Sequence, residues 1–296
     1  MRQKIVVILG QTATGKSDLA VKLAKKFKGE VVSADSRQVY KGLNIGTGKI
    51  ARREMQGVPH HLLDVADPKK QFSIAEYKKL AEKTIANIIS RGKLPIICGG
   101  TGFYIQAIVN GIVLPEVAPN IKLRKQLENK STKQLYAILK KIDLRRAKNI
   151  DKNNPRRLVR AIEIAKALGS IPNLEVKPLS WDILQIGLKL SDAELRKKIH
   201  NRLLSRIKSG MINEAKRLNK NGLSWKRMEE LGLEYKYLAQ YLQGKISKIE
   251  MLSQLETAIW QYTKRQNTWF KRNKRIKWFS PSDIKKIEKI VSVYLN

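Results

Sequence analysis

The chain has 296 residues, enough for one large domain or two modest ones around a real core. Its 60 Lys+Arg against 25 Asp+Glu give a formal charge of +35, far beyond what solubility asks for; a polyanionic partner is expected, nucleic acid first, with a Lys-, Ile- and Asn-heavy genome vocabulary as the other source. The single cysteine, Cys98, excludes an internal disulfide framework, and with no bilayer-length apolar run and no signal-peptide core the expected location is the cytoplasm, without a membrane.

The run "KIVVILG" is predicted to be a buried strand, followed by "GQTATGKS" and then a helix over "SDLAVKLAKKF", where Leu19, Ala20, Leu23, Ala24 and Phe27 share one face. "GEVVSADS" reads as a second strand ending in Asp35 and Ser36, beside the loop. Ser73 and Glu76 have capping-box spacing and open a helix with Ile74, Tyr77, Ala81, Ile85 and Ile88 along one stripe. "KLPIICGGTG" is a third core strand breaking into a glycine turn, with a helix in "FYIQAIVNG". From Pro115 the pattern becomes short basic amphipathic helices, "DILQIGLKL" is one more sheet strand, and the remainder is helical up to "QYTKRQNTWFKRNKRIKW". The expected fold is therefore α/β: a P-loop NTPase-like parallel sheet core over 1–114 and 181–296 with a helical C-terminal region, and a helical insertion over 115–180.

Gly10, Gly15, Lys16 and Ser17 satisfy G-x-x-x-x-G-K-[ST] between a predicted strand and a predicted helix. The backbone of Gly10, Gln11, Thr12, Ala13, Thr14 and Gly15 wraps a diphosphate or triphosphate, Lys16 adds a point charge, and Ser17 is the candidate ligand for Mg²⁺. A motor NTPase would follow with an apolar strand ending in a carboxylate, yet "LPIICGG" ends in glycines. Asp35 is instead a candidate base at the carboxyl edge of the sheet, its other reading being a turn cap or a metal-orienting group.

Six blocks in order, "GQTATGKS", "DSRQVYKGLNIGTGK", "VPHHLLDVADP", "GKLPIICGGTGFYI", "NNPRRLVRAIEI" and "YTKRQNTWF", closely resemble the tRNA dimethylallyltransferases, also called tRNA isopentenyltransferases, over nearly the whole chain. The resemblance implies that the loop holds the diphosphate of dimethylallyl diphosphate, and that the acceptor is the exocyclic N6 amine of the adenosine 3′ of the anticodon, in tRNAs reading codons that begin with U. It implies Asp35 as proton acceptor, Thr101 at the reacting amine and Arg202 on the diphosphate. The tRNA anticodon arm, its adenine extruded from the stack, is then expected against Asp35, Ser36, Arg37, Gln38, Thr101 and Arg124; against Arg156, Arg157, Leu158, Val159 and Arg160; and against Lys264, Arg265, Gln266, Thr268, Trp269 and Lys271. Gln11 stands where that family usually has Pro, a position expected to supply backbone only, and "IDKNN" and "LEYK" replace its usual "IHPND" and "GYKE".

Adjacent His60 and His61 point to opposite faces of an extended segment and do not suit a shared metal; Cys98 is expected to be a buried inert thiol, and Trp260 and Trp269 core residues. The rival readings are a P-loop small-molecule kinase that holds ATP in the loop, and a non-catalytic RNA-binding module. Nothing in the pattern demands a partner chain, so a monomer is expected.

Overall fold

The computed structural model describes residues 2–113, 115–172 and 181–296. The chain divides into two compact units, one made of Met1–Asn110 and Leu179–Asn296, the other of Gly111–Pro178.

The larger unit begins with β1 (Gln3–Gly10), α1 (Lys16–Lys26), β2 (Gly29–Ser33), α2 (Arg52–Met55), β3 (His60–His61), α3 (Ile74–Ser90), β4 (Leu94–Gly99) and α4 (Gly102–Val109). The insertion carries α5 (Ile121–Glu128), α6 (Thr132–Ile142), α7 (Leu144–Lys148) and α8 (Pro155–Leu168). The chain then returns to the larger unit through β5 (Trp181–Leu188), α9 (Asp192–Lys208), α10 (Met211–Lys220), α11 (Trp225–Leu231), α12 (Leu233–Leu242), α13 (Lys248–Phe270), β6 (Lys277–Phe279) and α14 (Ile284–Leu295).

The described strands form an all-parallel sheet in the order β3-β2-β4-β1-β5-β6. A parallel sheet is covered on both faces, which is why β1 reads as an unbroken apolar run rather than an alternating one. Ile5, Val7 and Leu9 pack with Tyr77, Ile85 and Ile88 of α3 and Ile105 and Ile108 of α4, whereas Val6 and Ile8 pack with Leu19 and Leu23 of α1 and Ile287 and Val291 of α14. The capping box at Ser73 and Glu76 is formed, and it starts α3 where the sequence places it. Helices α9, α10, α12 and α13 share a separate core around Leu195, Leu203, Met211, Leu238 and Leu255.

The structure corrects the sequence reading at β2. That strand stops at Ser33, and β4, not β2, lies against β1, so Asp35 is one strand removed from the phosphate loop rather than beside it. The crossover from β2 delivers Asp35 to the same sheet edge because Ala34 bonds both sides of the β4 turn: its N–H donates to Cys98 O at 2.8 Å and its carbonyl accepts from Thr101 N–H at 3.2 Å. Strands β3 and β6 have two and three residues, too short to show a period, and escaped the sequence reading.

The insertion has a core of its own, with Leu123, Leu127, Leu135, Leu139, Leu158 and Ile162 at its centre. Residues 173–180 of the expected insertion lie outside the described residues.

Candidate active site

The turn between β1 and α1 is shaped by its two glycines. Gly10 has φ 136° and approaches β5 so closely that a Cβ would sit 2.4 Å from Leu188 O, while Gly15 at φ 82° turns the chain into α1. No side chain caps α1, so its first-turn N–H groups remain open to an anion. Thr14 Oγ1 donates to Gln11 O at 2.8 Å, and Lys16 Nζ folds back onto the same carbonyl. Burial, reinforced by the nearby Arg202 charge, lowers the Lys16 ammonium to a pKa of about 8.

Helix α13 braces this loop from behind. Gln266 Oε1 accepts from Thr12 N–H at 2.9 Å and Gln266 Nε2 donates to Gly100 O at 2.9 Å, while Gln11 Nε2 donates to Thr263 O at 3.3 Å. Two expectations are thereby corrected. Gln266 is buried and ties the phosphate loop to the end of β4 instead of facing RNA, and Gln11 contributes a side chain, not backbone alone.

The loop opens on a cleft of about 590 Å³, part of it open to solvent. Thr12, Ala13, Asp35, Arg37, Arg202, Arg206, Glu234 and Tyr262 line it together with the apolar Ile199, Leu203, Leu233 and Ile259. The two arginines, four residues apart on α9, differ in their partners. Arg206 donates to Glu234 Oε1 at 3.1 Å and to Gly46 O at 3.2 Å. Arg202 has no carboxylate partner among the described residues and reaches only Gly48 O, at 3.4 Å. Its guanidinium is brought down to about 10 by burial and then by Arg206, whereas burial raises the Glu234 carboxyl against the pull of Arg206. A cleft in which Arg202 has no carboxylate hydrogen-bond partner among the described residues, with Lys16 close enough to feel its charge and an apolar wall opposite, fits an anion with a short apolar tail.

The carbonyls facing these arginines belong to the segment after Leu43, held by one buried acid. Glu214 accepts from Asn44 N–H at 3.0 Å, Ile45 N–H at 2.7 Å, Gly46 N–H at 2.9 Å and Tyr235 Oη at 2.8 Å. Removing it leaves several buried donors without acceptors, each costing on the order of 1–3 kcal/mol and not additive. Glu214→Ala is therefore expected to lose about 3 kcal/mol in urea unfolding, and Glu214→Gln, which keeps one acceptor oxygen, to lose less; an unchanged midpoint in Glu214→Ala would remove this role.

The turn-cap reading of Asp35 is met by one carboxylate oxygen. Its Oδ1 caps the turn, accepting from Arg37 N–H at 2.8 Å and Gln38 N–H at 3.2 Å, while its Oδ2 accepts no hydrogen bond among the described residues. Ser36 N–H donates to Thr101 Oγ1 at 3.0 Å, so the hydroxyl stands at the head of α4 beside the carboxylate. Arg37 and Gln38 are half-buried, the latter donating through Nε2 to Gly48 O at 3.3 Å.

The other expected RNA residues divide by burial. Arg156 and Arg157 are exposed on α8, Val159 is half-buried, and Leu158 is in the core of the insertion, so its side chain is not available to RNA. Arg124 donates to both oxygens of buried Glu163 at 2.7 and 2.8 Å, and Arg160 to Glu163 at 3.3 Å and Val117 O at 2.8 Å; both guanidiniums hold the insertion together. On α13, Lys264, Arg265 and Thr268 are exposed, as is Lys271 just beyond it, and Trp269 is half-buried with its ring edge-on to Phe103 at 6.4 Å. Sequence reasoning missed Arg206, Glu234 and Tyr262; only Tyr262 carried a signal, lying one helical turn before Gln266.

Ser17 is exposed at the start of α1, and no cluster of three His, Cys, Asp or Glu able to hold a metal occurs among the described residues. A lone hydroxyl beside an anion site suits Mg²⁺, which keeps its waters and is held by one or two protein groups plus substrate phosphates. His60 Nδ1 bonds Val58 O, His61 bonds Glu30 at 2.7 Å, and burial pushes the Cys98 thiol up to about 12.

The IPP transferase family model matches residues 38–273. A tRNA dimethylallyltransferase of Anoxybacillus flavithermus is 40% identical over 100% of this chain and 96% of its own, and tRNA dimethylallyltransferase 2 of Treponema denticola is 44% identical over 90% and 91%. Among solved structures, the tRNA isopentenylpyrophosphate transferase of Bacillus halodurans superposes with a TM-score of 0.75 at 36% identity, covering 98% of this chain and 96% of that one. A eukaryotic dimethylallyltransferase acting on tRNA superposes with a TM-score of 0.78 at 29% identity, covering 90% and 70%. Likeness of this extent, in sequence and in the fold that builds the cleft, makes the chain a member of the IPP transferase family.

Proposed function

We propose that this enzyme, a tRNA dimethylallyltransferase, moves the five-carbon group of dimethylallyl diphosphate to the N6 amine of the adenosine 3′ of the anticodon, in tRNAs reading codons that begin with U, and releases diphosphate. The observation that carries the donor assignment is Arg202, which has no carboxylate hydrogen-bond partner among the described residues, sharing one cleft with the apolar wall of Ile199, Leu203, Leu233 and Ile259, with Lys16 near enough to feel its charge. A kinase is not favoured: β4 ends at Gly99 with no carboxylate to serve a bound ATP.

The amine of adenine is a weak nucleophile because its lone pair is delocalised into the ring, so the site must draw off the leaving group and take up the proton. The loop N–H groups, Lys16 and Arg202 stabilise the charge that develops on the departing diphosphate, at about 1.4 kcal/mol per tenfold in rate. Ser17 is the residue that would hold Mg²⁺, and the ion would supply further charge neutralisation there. As the C1–O bond breaks and the N6–C1 bond forms, the free Oδ2 of Asp35 accepts the amine proton. Exposed Arg156 and Arg157 on α8, and Lys264, Arg265 and Lys271 on or next to α13, are proposed to hold the tRNA backbone. No described helix is long and apolar enough to cross a membrane, and the protein is proposed to work in the cytoplasm as a monomer.

The test is incubation with Mg²⁺, unmodified tRNA and labelled dimethylallyl diphosphate. Label in tRNA supports the assignment; ATP consumption without transfer replaces it with the kinase. A second expectation concerns RNA alone. Arg157→Ala should weaken tRNA roughly several-fold, reduce the slope of log affinity against log salt by about 1, and leave donor affinity unchanged. An unaltered slope places Arg157 outside the interface.

A further inference from the structure

Phe103, the second residue of α4, stands 44% exposed at the head of the helix that begins after Thr101. Among the described residues it is the only exposed Phe, Tyr or Trp. It does not stand alone. Trp269 of α13 meets it with ring centroids 6.4 Å apart and an interplanar angle of 67°. The same indole lies against the backbone of Gly102, where a Cβ would come within 2.3 Å of its Cδ1, so the missing side chain lets the ring seat directly on the first turn of α4. An edge-to-face contact covers at most one face of either ring. Phe103 therefore keeps ring surface open beside Thr101, whose hydroxyl accepts from Ser36 N–H next to Asp35.

The charge around this shelf has one sign. From Tyr262 to Lys277 the sequence holds no Asp or Glu, and α4 has none either. Arg265 lies one turn before Trp269 on α13, and Lys271 and Arg272 follow it, all three exposed. An open aromatic face among cations suits single-stranded nucleic acid, whose bases stack on the ring while its phosphates meet the positive charges. Resting on the function proposed above, the occupant narrows further. An adenosine turned out of the anticodon loop leaves the bases on either side of it without a stacking partner. With its amine at Thr101 and Asp35, an adjoining nucleotide is the next group along the strand to reach Phe103.

We infer that Phe103, backed by Trp269, is a stacking platform for a base adjoining the extruded adenosine, and that it holds the strand open while the amine reacts. The phenyl plane stands in for the base that was turned out. Every base has a π-face, so the contact adds affinity without selecting a sequence.

The experiment is equilibrium binding of anticodon stem-loop RNA to the parent enzyme, Phe103→Leu and Phe103→Trp. Three RNAs are compared: one unaltered, one abasic at the nucleotide 5′ of the target adenosine, and one abasic at the nucleotide 3′ of it. Phe103→Leu keeps an apolar side chain and removes only the π-face; at an exposed position its urea midpoint and pyrophosphate affinity should match the parent. It should bind the unaltered RNA about tenfold more weakly, within the range for one base on one aromatic ring, and Phe103→Trp should stay within roughly twofold of the parent. With one of the two abasic RNAs the leucine penalty should vanish, and that RNA identifies the stacked base. Equal affinity of parent and Phe103→Leu for the unaltered RNA, or a penalty undiminished with both abasic RNAs, overturns the inference while leaving the transferase assignment standing. A parent enzyme that does not bind the unaltered stem-loop overturns the tRNA assignment first, and this one with it.

Discussion

Replacing Asp35 with alanine is expected to slow prenyl transfer by about 10³-fold while tRNA affinity stays within roughly threefold, because a positioned general base contributes on the order of 10²–10⁴. The structure shows why alanine alone is an incomplete test. Asp35 Oδ1 holds the Arg37 and Gln38 N–H groups, so its loss also loosens the turn that presents Arg37 and Gln38. Asparagine separates the two roles. Its side-chain oxygen still caps the turn, its other atom is an amide nitrogen with no acceptor capacity, and the proton sink is gone. Asp35→Asn should therefore be as slow as Asp35→Ala in single-turnover transfer and should bind tRNA as the parent does. Transfer by Asp35→Asn at near-parental rate would reduce Asp35 to a cap.

The parts of the site legible in the sequence were those set by local chain geometry. Gly10 and Gly15 announce the phosphate turn because only glycine tolerates φ 136° against Leu188 O, and the strand before it and helix after it show clear periods. Asp35 and Thr101 were legible as residues, and the resemblance put both at the reacting amine, but what brings them to one sheet edge, β4 lying between β1 and β2, no local pattern encodes. The far wall was hidden for the same reason. Arg206, Glu234 and Tyr262 come from α9, α12 and α13, and their encounter is fixed by helix packing around Leu203, Leu238 and Ile259. Charge concealed a second role at Arg124 and Arg160, where a basic pattern that reads as an RNA surface also pairs with one buried acid, Glu163. It misled at Gln266: a polar residue inside a basic segment reads as surface, yet its two hydrogen bonds join Thr12 to Gly100.

Lys16 carries the other large effect, and pH exposes it. In the free protein its ammonium titrates at about 8, lowered chiefly by burial and further by Arg202. A diphosphate placed against it supplies the missing counter-charge and raises that value, so binding is linked to proton uptake. Below pH 8 the lysine is charged with or without ligand, and its contribution to affinity is fully present. As pH climbs past 8 the free protein has lost a proton that the complex must regain, and the contribution falls by up to about tenfold per pH unit until the pKa of the complex is reached. Pyrophosphate itself titrates, so the quantity to measure is the ratio of affinities for the parent and Lys16→Met, in which the ligand's own protons cancel. That ratio should be flat below pH 8 and decline above it. In transfer assays at neutral pH, Lys16→Met should be slower by about 10²–10³-fold, the scale of one preorganised donor on a developing negative charge. A ratio that is constant across pH 7 to 10 would mean that the ammonium on Gln11 O never turns to the ligand, and that Arg202 with the loop N–H groups performs the ionisation alone.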